Sequence, residues 1–225
     1  METLSFHYKF KLSDGTEKKF EVHLDNETLR LIPPEKESAP QWTELGHCQC
    51  PNCPLDTAKN KYCPVAFNLV DVIDFFNQSI SHDEVDLTIE TRERGYFKHV
   101  PLQKGISALL GLTMVTSGCP VLDKLRPMVR YHLPFANLEE TQYRVLSMYL
   151  LAQYFLKKRG KKPDWDLKEL TGIYDEIRIV NKAFCERLKT LQGEDAVPNA
   201  IVILNTFADG VTFAVDENAL HKIEN

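Results

Sequence analysis

An α+β fold is predicted, with an N-terminal antiparallel β-meander packed on a C-terminal helical bundle and a cysteine-rich knuckle between them. Three observations predict it. Apolar and polar residues alternate through the first 32 positions, apolar residues recur at helical spacing from Pro64 onward, and the loop between these regions holds four of the six cysteines.

The alternation runs through Leu4, Phe6, Tyr8, Phe10 and Leu12, and Asp14-Gly15 supplies the hairpin signal that follows. Phe20, Val22 and Leu24 alternate back, Asp25-Asn26-Glu27 turns the chain, and Thr28 to Ile32 reads as a third short strand. Pro33-Pro34 ends the sheet. A polar connector to Pro40 then leads to Trp42 and Leu45, which anchor the approach to the knuckle. Pro64 suits a first helical position, because its fixed φ and missing N–H cost nothing there. Val65, Leu69, Val72, Ile73 and Phe76 continue at helical spacing to about Ser79. Val85, Leu87 and Ile89 form a fourth strand, with Tyr96 and Phe97 as its continuation or hairpin partner.

A second helix starts near Pro101, carries Ile106, Leu109, Leu110 and Met114, and stops at Gly118. Cys119-Pro120 opens a short helix that Pro127 interrupts. Asn137 with Glu140, and Asp166 with Glu169, resemble capping boxes for two longer helices. Residues 197–208 fit a buried helix, although periodicity leaves 200–204 open between helix and strand. A final short helix is expected after Asp216. The portions are 1–46, sheet; 47–64, knuckle; and 65–225, mainly helical, within one integrated domain.

With 225 residues, 43% hydrophobic and 26% charged, the chain can bury a genuine core. Its net charge of −5 argues against a nucleic-acid binder that relies on attraction to phosphate. The basic cluster at Lys157-Lys158-Arg159-Gly160-Lys161-Lys162 falls where a helix ends and complements its dipole. The N-terminus lacks a signal-peptide pattern, and the longest apolar run, residues 108–115, is far short of the ~20 residues of a membrane span. A cytoplasmic protein is expected, bound to neither nucleic acid nor membrane, with room for a protein partner and an open oligomeric state.

In a reducing compartment, clustered cysteines point to metal or redox chemistry before disulfides. Cys48, Cys50, Cys53 and Cys63 are spaced C-x-C-x2-C-x9-C, four donors within 16 residues. A second pattern crosses the first. Cys50, Cys53, Cys63 and Cys119 are each followed by proline, as at the close of the bacterial ferredoxin cysteine run. On this pattern Cys119 replaces Cys48. Both Cys63 and Cys119 stand where a helix begins, and free N–H groups stabilise a thiolate there. Zinc is the favoured metal, serving as a structural clamp, and an iron–sulfur cluster is the alternative, with an electron-transfer or sensing role.

His47 adjoins the knuckle as a further candidate donor. Cys119 and His132 would be the minimum for a thiol nucleophile and its base, and Arg126 and Arg130 are placed to pair with Glu139 or Glu140. Cys185 falls on an apolar helix and reads as inert. No dinucleotide fingerprint, P-loop, nucleophile elbow or zincin motif occurs, so no catalytic residue is assigned.

The segments His47–Cys53, Cys63-Pro64-Val65-Ala66, Ser117-Gly118-Cys119-Pro120, Leu125-Arg126-Pro127-Met128 and His132-Leu133-Pro134-Phe135-Ala136 resemble an uncharacterised bacterial protein family over most of the chain. The resemblance implies a bacterial cytoplasmic protein and transfers no activity. It also joins the knuckle and the Cys119 segment in one site. The function expected is that of a metal-binding module or scaffold, with an iron–sulfur or thiol-based sensor as the alternative.

Overall fold

The computed structural model describes residues 2–33 and 38–216, with the side chain of Asp216 left aside. The fold is α+β. Strands β1 (Thr3–Leu12) and β2 (Glu17–Asp25) form the expected hairpin, and β3 (Glu84–Glu90) and β4 (Gly95–Pro101) form a second. Both hairpins are antiparallel, and β3 adds to the free edge of β1, giving the order β2-β1-β3-β4. Gly15 takes φ +87° in the first turn, where a side chain would be strained.

Period-two patterning decides the faces. Phe6, Tyr8 and Phe10 on β1, Phe20, Val22 and Leu24 on β2, and Val85, Leu87 and Ile89 on β3 are all buried. Lys9, Glu17 and Glu21 project from the opposite face, which carries the ion pairs Lys9–Glu17 at 2.9 Å and His7–Glu21 at 3.5 Å.

The buried face is covered by α1 (Pro64–Phe76) and α2 (Leu102–Thr116). Phe76 meets Phe10 and Phe20 with ring centres 5.0 and 5.6 Å apart. Helix α2 approaches the sheet at Gly105, where a Cβ would stand only 3.1 Å from Phe10 and 3.2 Å from Leu87. Behind lie a 3-10 helix (Leu122–Tyr131), α3 (Leu138–Lys158), α4 (Lys168–Lys189) and α5 (Ala196–Asp216). Helix α5 is central, packing on α4, α2, α3 and α1.

Several expectations need correction. Residues 28–32 make no strand. Asp25 accepts hydrogen bonds from the Thr28 N–H and hydroxyl, both at 2.7 Å, Leu29 sits at φ +57°, and one bridge joins Leu31 to Leu24. The sheet is therefore two hairpins with β1 inside, because the third and fourth strands come from the mainly helical portion.

Pro127 does not interrupt its helix. The segment from Leu122 to Tyr131 is 3-10 throughout and contains that proline. Asn137 and Glu140 form a true capping box on α3, but Asp166 does not cap α4. Asp164 accepts the Glu169 N–H at 2.8 Å in its stead. Residues 200–204 are helical.

Helix α5 also corrects the reading of apolar runs. By length and composition alone, Ala196–Val215 is long and apolar enough to cross a membrane. Asn199, Asn205, Thr206 and Asp209 break it up as a string, and its buried face of Val197, Ala200, Ile201, Ala208 and Val211 belongs to the core. The helix expected after Asp216 and most of the connector after Pro33 lie outside the described residues.

Candidate metal centre

Three chain segments converge on one small cavity. The loop from Leu45 to Lys61 is pinched shut at its base, where the Leu45 N–H donates to Lys61 O at 2.9 Å and the Cys63 N–H to Thr43 O at 2.8 Å. Inside it, the Cys53 N–H donates to Cys50 O at 3.0 Å, a tight turn that carries two cysteines. Cys63 is the N-cap of α1 with Pro64 following. Cys119 arrives from the end of α2, where Gly118 at φ +94° reverses the chain. The side-chain amide of Asn68 joins the last two segments, donating to Pro64 O at 2.8 Å and toward Ser117 O at 3.5 Å.

Cys50, Cys53, Cys63 and Cys119 all line this cavity of about 20 Å³, together with Leu45, Val180 and Arg187. They are the four cysteines followed by proline. Cys48 is not among them; it is exposed, with φ +49°. Among the described residues, no group of three or more His, Cys, Asp or Glu side chains stands close enough to hold a single metal ion.

The electrostatics follow from this crowding. Burial, and then the neighbouring Cys63, Cys119 and Cys53, push the Cys50 thiol up to about 12, against the pull of Arg187. Burial also raises Cys119, opposed by the N–H groups of Leu122 and Val121, which hydrogen-bond its sulfur.

Arg187 is 2% exposed. Its guanidinium donates to Trp42 O at 2.5 Å and Glu44 O at 2.8 Å, so it holds the base of the loop, and among the described residues it has no carboxylate partner. A buried cation satisfied only by carbonyls leaves its charge uncompensated. Asn52 ties the loop to α4 by donating to the backbone and carboxylate oxygens of Glu176, at 3.0 and 2.6 Å. Sequence reasoning missed Arg187. Its signal was present, since it occupies the core stripe of Phe184, Leu188 and Leu191 at helical spacing, where a lone charge is costly.

The other candidates lie elsewhere. His47 turns to the Thr190 hydroxyl at 2.9 Å and is not on the cavity wall. The Cys119–His132 pair is not formed. His132 Nε2 meets the Tyr8 hydroxyl at 3.0 Å, the ring packs edge-on to Phe6, and burial pushes it down to about 3. Arg126 pairs with Asp123 at 2.8 Å, and Arg130 donates to Asn26 O at 2.6 Å, so neither reaches Glu139 or Glu140. Cys185 points to Pro198 O at 4.0 Å, away from the other thiols.

Neither a curated protein nor a solved structure matches the chain. The family described as "Domain of unknown function (DUF6901)" matches it over residues 6–225, nearly its whole length, and the chain belongs to that family.

Proposed function

We propose that this is a metal-centre protein whose ligands are Cys50, Cys53, Cys63 and Cys119, and that the centre is an iron–sulfur cluster. The observation that carries the reading is the convergence of four Cys-Pro residues from three segments on one cavity beside a buried Arg187 that, among the described residues, has no carboxylate partner. Four thiolates and a metal carry net negative charge, which supplies the counter-charge the guanidinium lacks.

Spacing favours a cluster over one ion. Sulfurs drawn to ~2.3 Å around zinc would leave no void that water could enter. Here the four cysteines line a cavity of about 20 Å³, and among the described residues no three His, Cys, Asp or Glu side chains gather for a single ion. When bound, such a cluster supplies one-electron transfer. This chain's residues hold it, with apolar Leu45 and Val180 limiting solvent and the Val121 and Leu122 N–H groups donating to Cys119.

A structural zinc is the second reading, favoured by the way the site ties the loop, α1 and the Cys119 turn together. Anaerobic purification of the untagged protein decides. Brown protein holding iron and acid-labile sulfide supports the cluster, colourless protein with about one zinc per chain supports the clamp, and protein with neither overturns both.

A further inference from the structure

A second cavity, of about 390 Å³, lies between α2, the 3-10 helix, the turn after it, α3, α4 and α5. It shares no lining residue with the cysteine cavity, although Leu122 in its wall directly follows Val121 in the other, and its size is that of a small-ligand site. Much of the wall is apolar, formed by side chains such as Leu112, Val115, Leu125, Leu133, Leu204 and Phe207. Such a wall offers water few hydrogen-bond partners.

The charges in the wall have one sign. Lys98, Lys104 and Arg144 line the cavity, and among the described residues no aspartate or glutamate does. Lys98 is in register with Leu87 and so shares its side of the sheet, but on edge strand β4 it stays exposed at the cavity rim, its ammonium 5.8 Å from the centre of the Phe135 ring. Arg144 donates to two carbonyls of the 3-10 helix, Met128 O at 3.0 Å and Tyr131 O at 3.2 Å, and has no carboxylate partner among the described residues. His132, the remaining titratable base in the wall, is engaged by Tyr8. A largely apolar chamber whose charged side chains are all cationic, beside neutral polar groups such as Ser107, Thr141 and Asn181, fits a molecule with an apolar body and an anionic head.

We propose that this cavity binds a small amphipathic carboxylate, its hydrocarbon against α2 and α5 and its carboxylate toward Arg144 and the two lysines. The test is calorimetric titration of the full chain with decanoate, decanol and decyltrimethylammonium, each below its aggregation limit. Decanoate binds saturably at one per chain, decanol about tenfold more weakly or worse, and the ammonium not at all. Arg144→Gln, and Lys98→Gln combined with Lys104→Gln, bring decanoate down toward decanol. Leu204→Trp, which fills the chamber, abolishes binding while circular dichroism stays native.

Absence of saturable decanoate binding overturns the proposal, as does equal affinity for all three probes. So does decanoate binding that survives Leu204→Trp, or that is unchanged in every folded cation variant. Should Arg144→Gln fail to fold, the lysine pair decides, because both positions are exposed.

Discussion

The two cavities differ in nearly every physical respect. One measures about 20 Å³ and is ringed by four thiols with a single buried cation; the other measures about 390 Å³ and is apolar with three cations at its edge. The first is made by three backbone reversals that bring sulfur inward: the Cys50–Cys53 turn, the start of α1 and the Gly118 reversal. The second lies between β4, α2, the 3-10 helix, α3, α4 and α5, with side chains from all of them in its wall. A site built by turns is specified by chemistry at fixed positions, whereas a site left between helices is specified by volume. Substitution should therefore act abruptly in the first and gradually in the second.

The largest expected effect is at the sulfurs. Cys63→Ser or Cys119→Ser should lose the metal, with a drop in Tm of ~10 °C or more, because metal-binding energy is folding energy in such sites. Elemental analysis and thermal melts check this. Full retention of metal in either variant would break the assignment.

Arg187→Met comes next, at a cost of about 3 kcal/mol, since two carbonyls lose their donor and the site its counter-charge. Denaturant unfolding reads that cost, and a metal assay reads the accompanying fall in occupancy. Unchanged occupancy would confine Arg187 to holding the loop.

In the larger cavity the leading stability effect is pH dependence. His132 is held neutral, depressed from 6.5 to about 3. Unfolding lets it take up a proton below pH 6.5, so its contribution is full above 6.5 and is lost as pH falls toward 3. A Tm-against-pH series should therefore slope less steeply over that window in His132→Gln than in the parent chain. Parallel slopes would show that His132 does not report on this wall.

Asn137→Ala, which removes the capping box at the start of α3 beside the same cavity, should cost about 1 kcal/mol by denaturant unfolding. Smallest of all is Cys48→Ser, with stability changed by less than about 0.5 kcal/mol and metal content unchanged. Loss of metal in that variant would return Cys48 to the ligand set.

What could be read from residues alone was whatever local bonding decides. The β1–β2 hairpin follows from alternation and Asp14-Gly15, α1 from Pro64 after Cys63, and the α3 boundary from Asn137 and Glu140, all within a few residues of one another. Local rules also failed where two of them competed. Thr28 to Ile32 has strand composition, yet Asp25 captures its first N–H and the chain turns. Leu167 enters α4 at φ +61°, which moves the cap from Asp166 to Asp164.

The sequence by itself determined the α+β class, the hairpin, the helix starts and the Cys-Pro pattern, because each rests on interactions between near neighbours. Only the tertiary structure decided that β1 lies inside the sheet, that Cys119 joins the knuckle while Cys48 faces solvent, and that Arg187 lies beneath the thiols. It alone opened the chamber edged by Lys98, Lys104 and Arg144. Those contacts span tens of residues or more, and their energies come from burial and charge in a shared interior, which no spacing along the chain encodes.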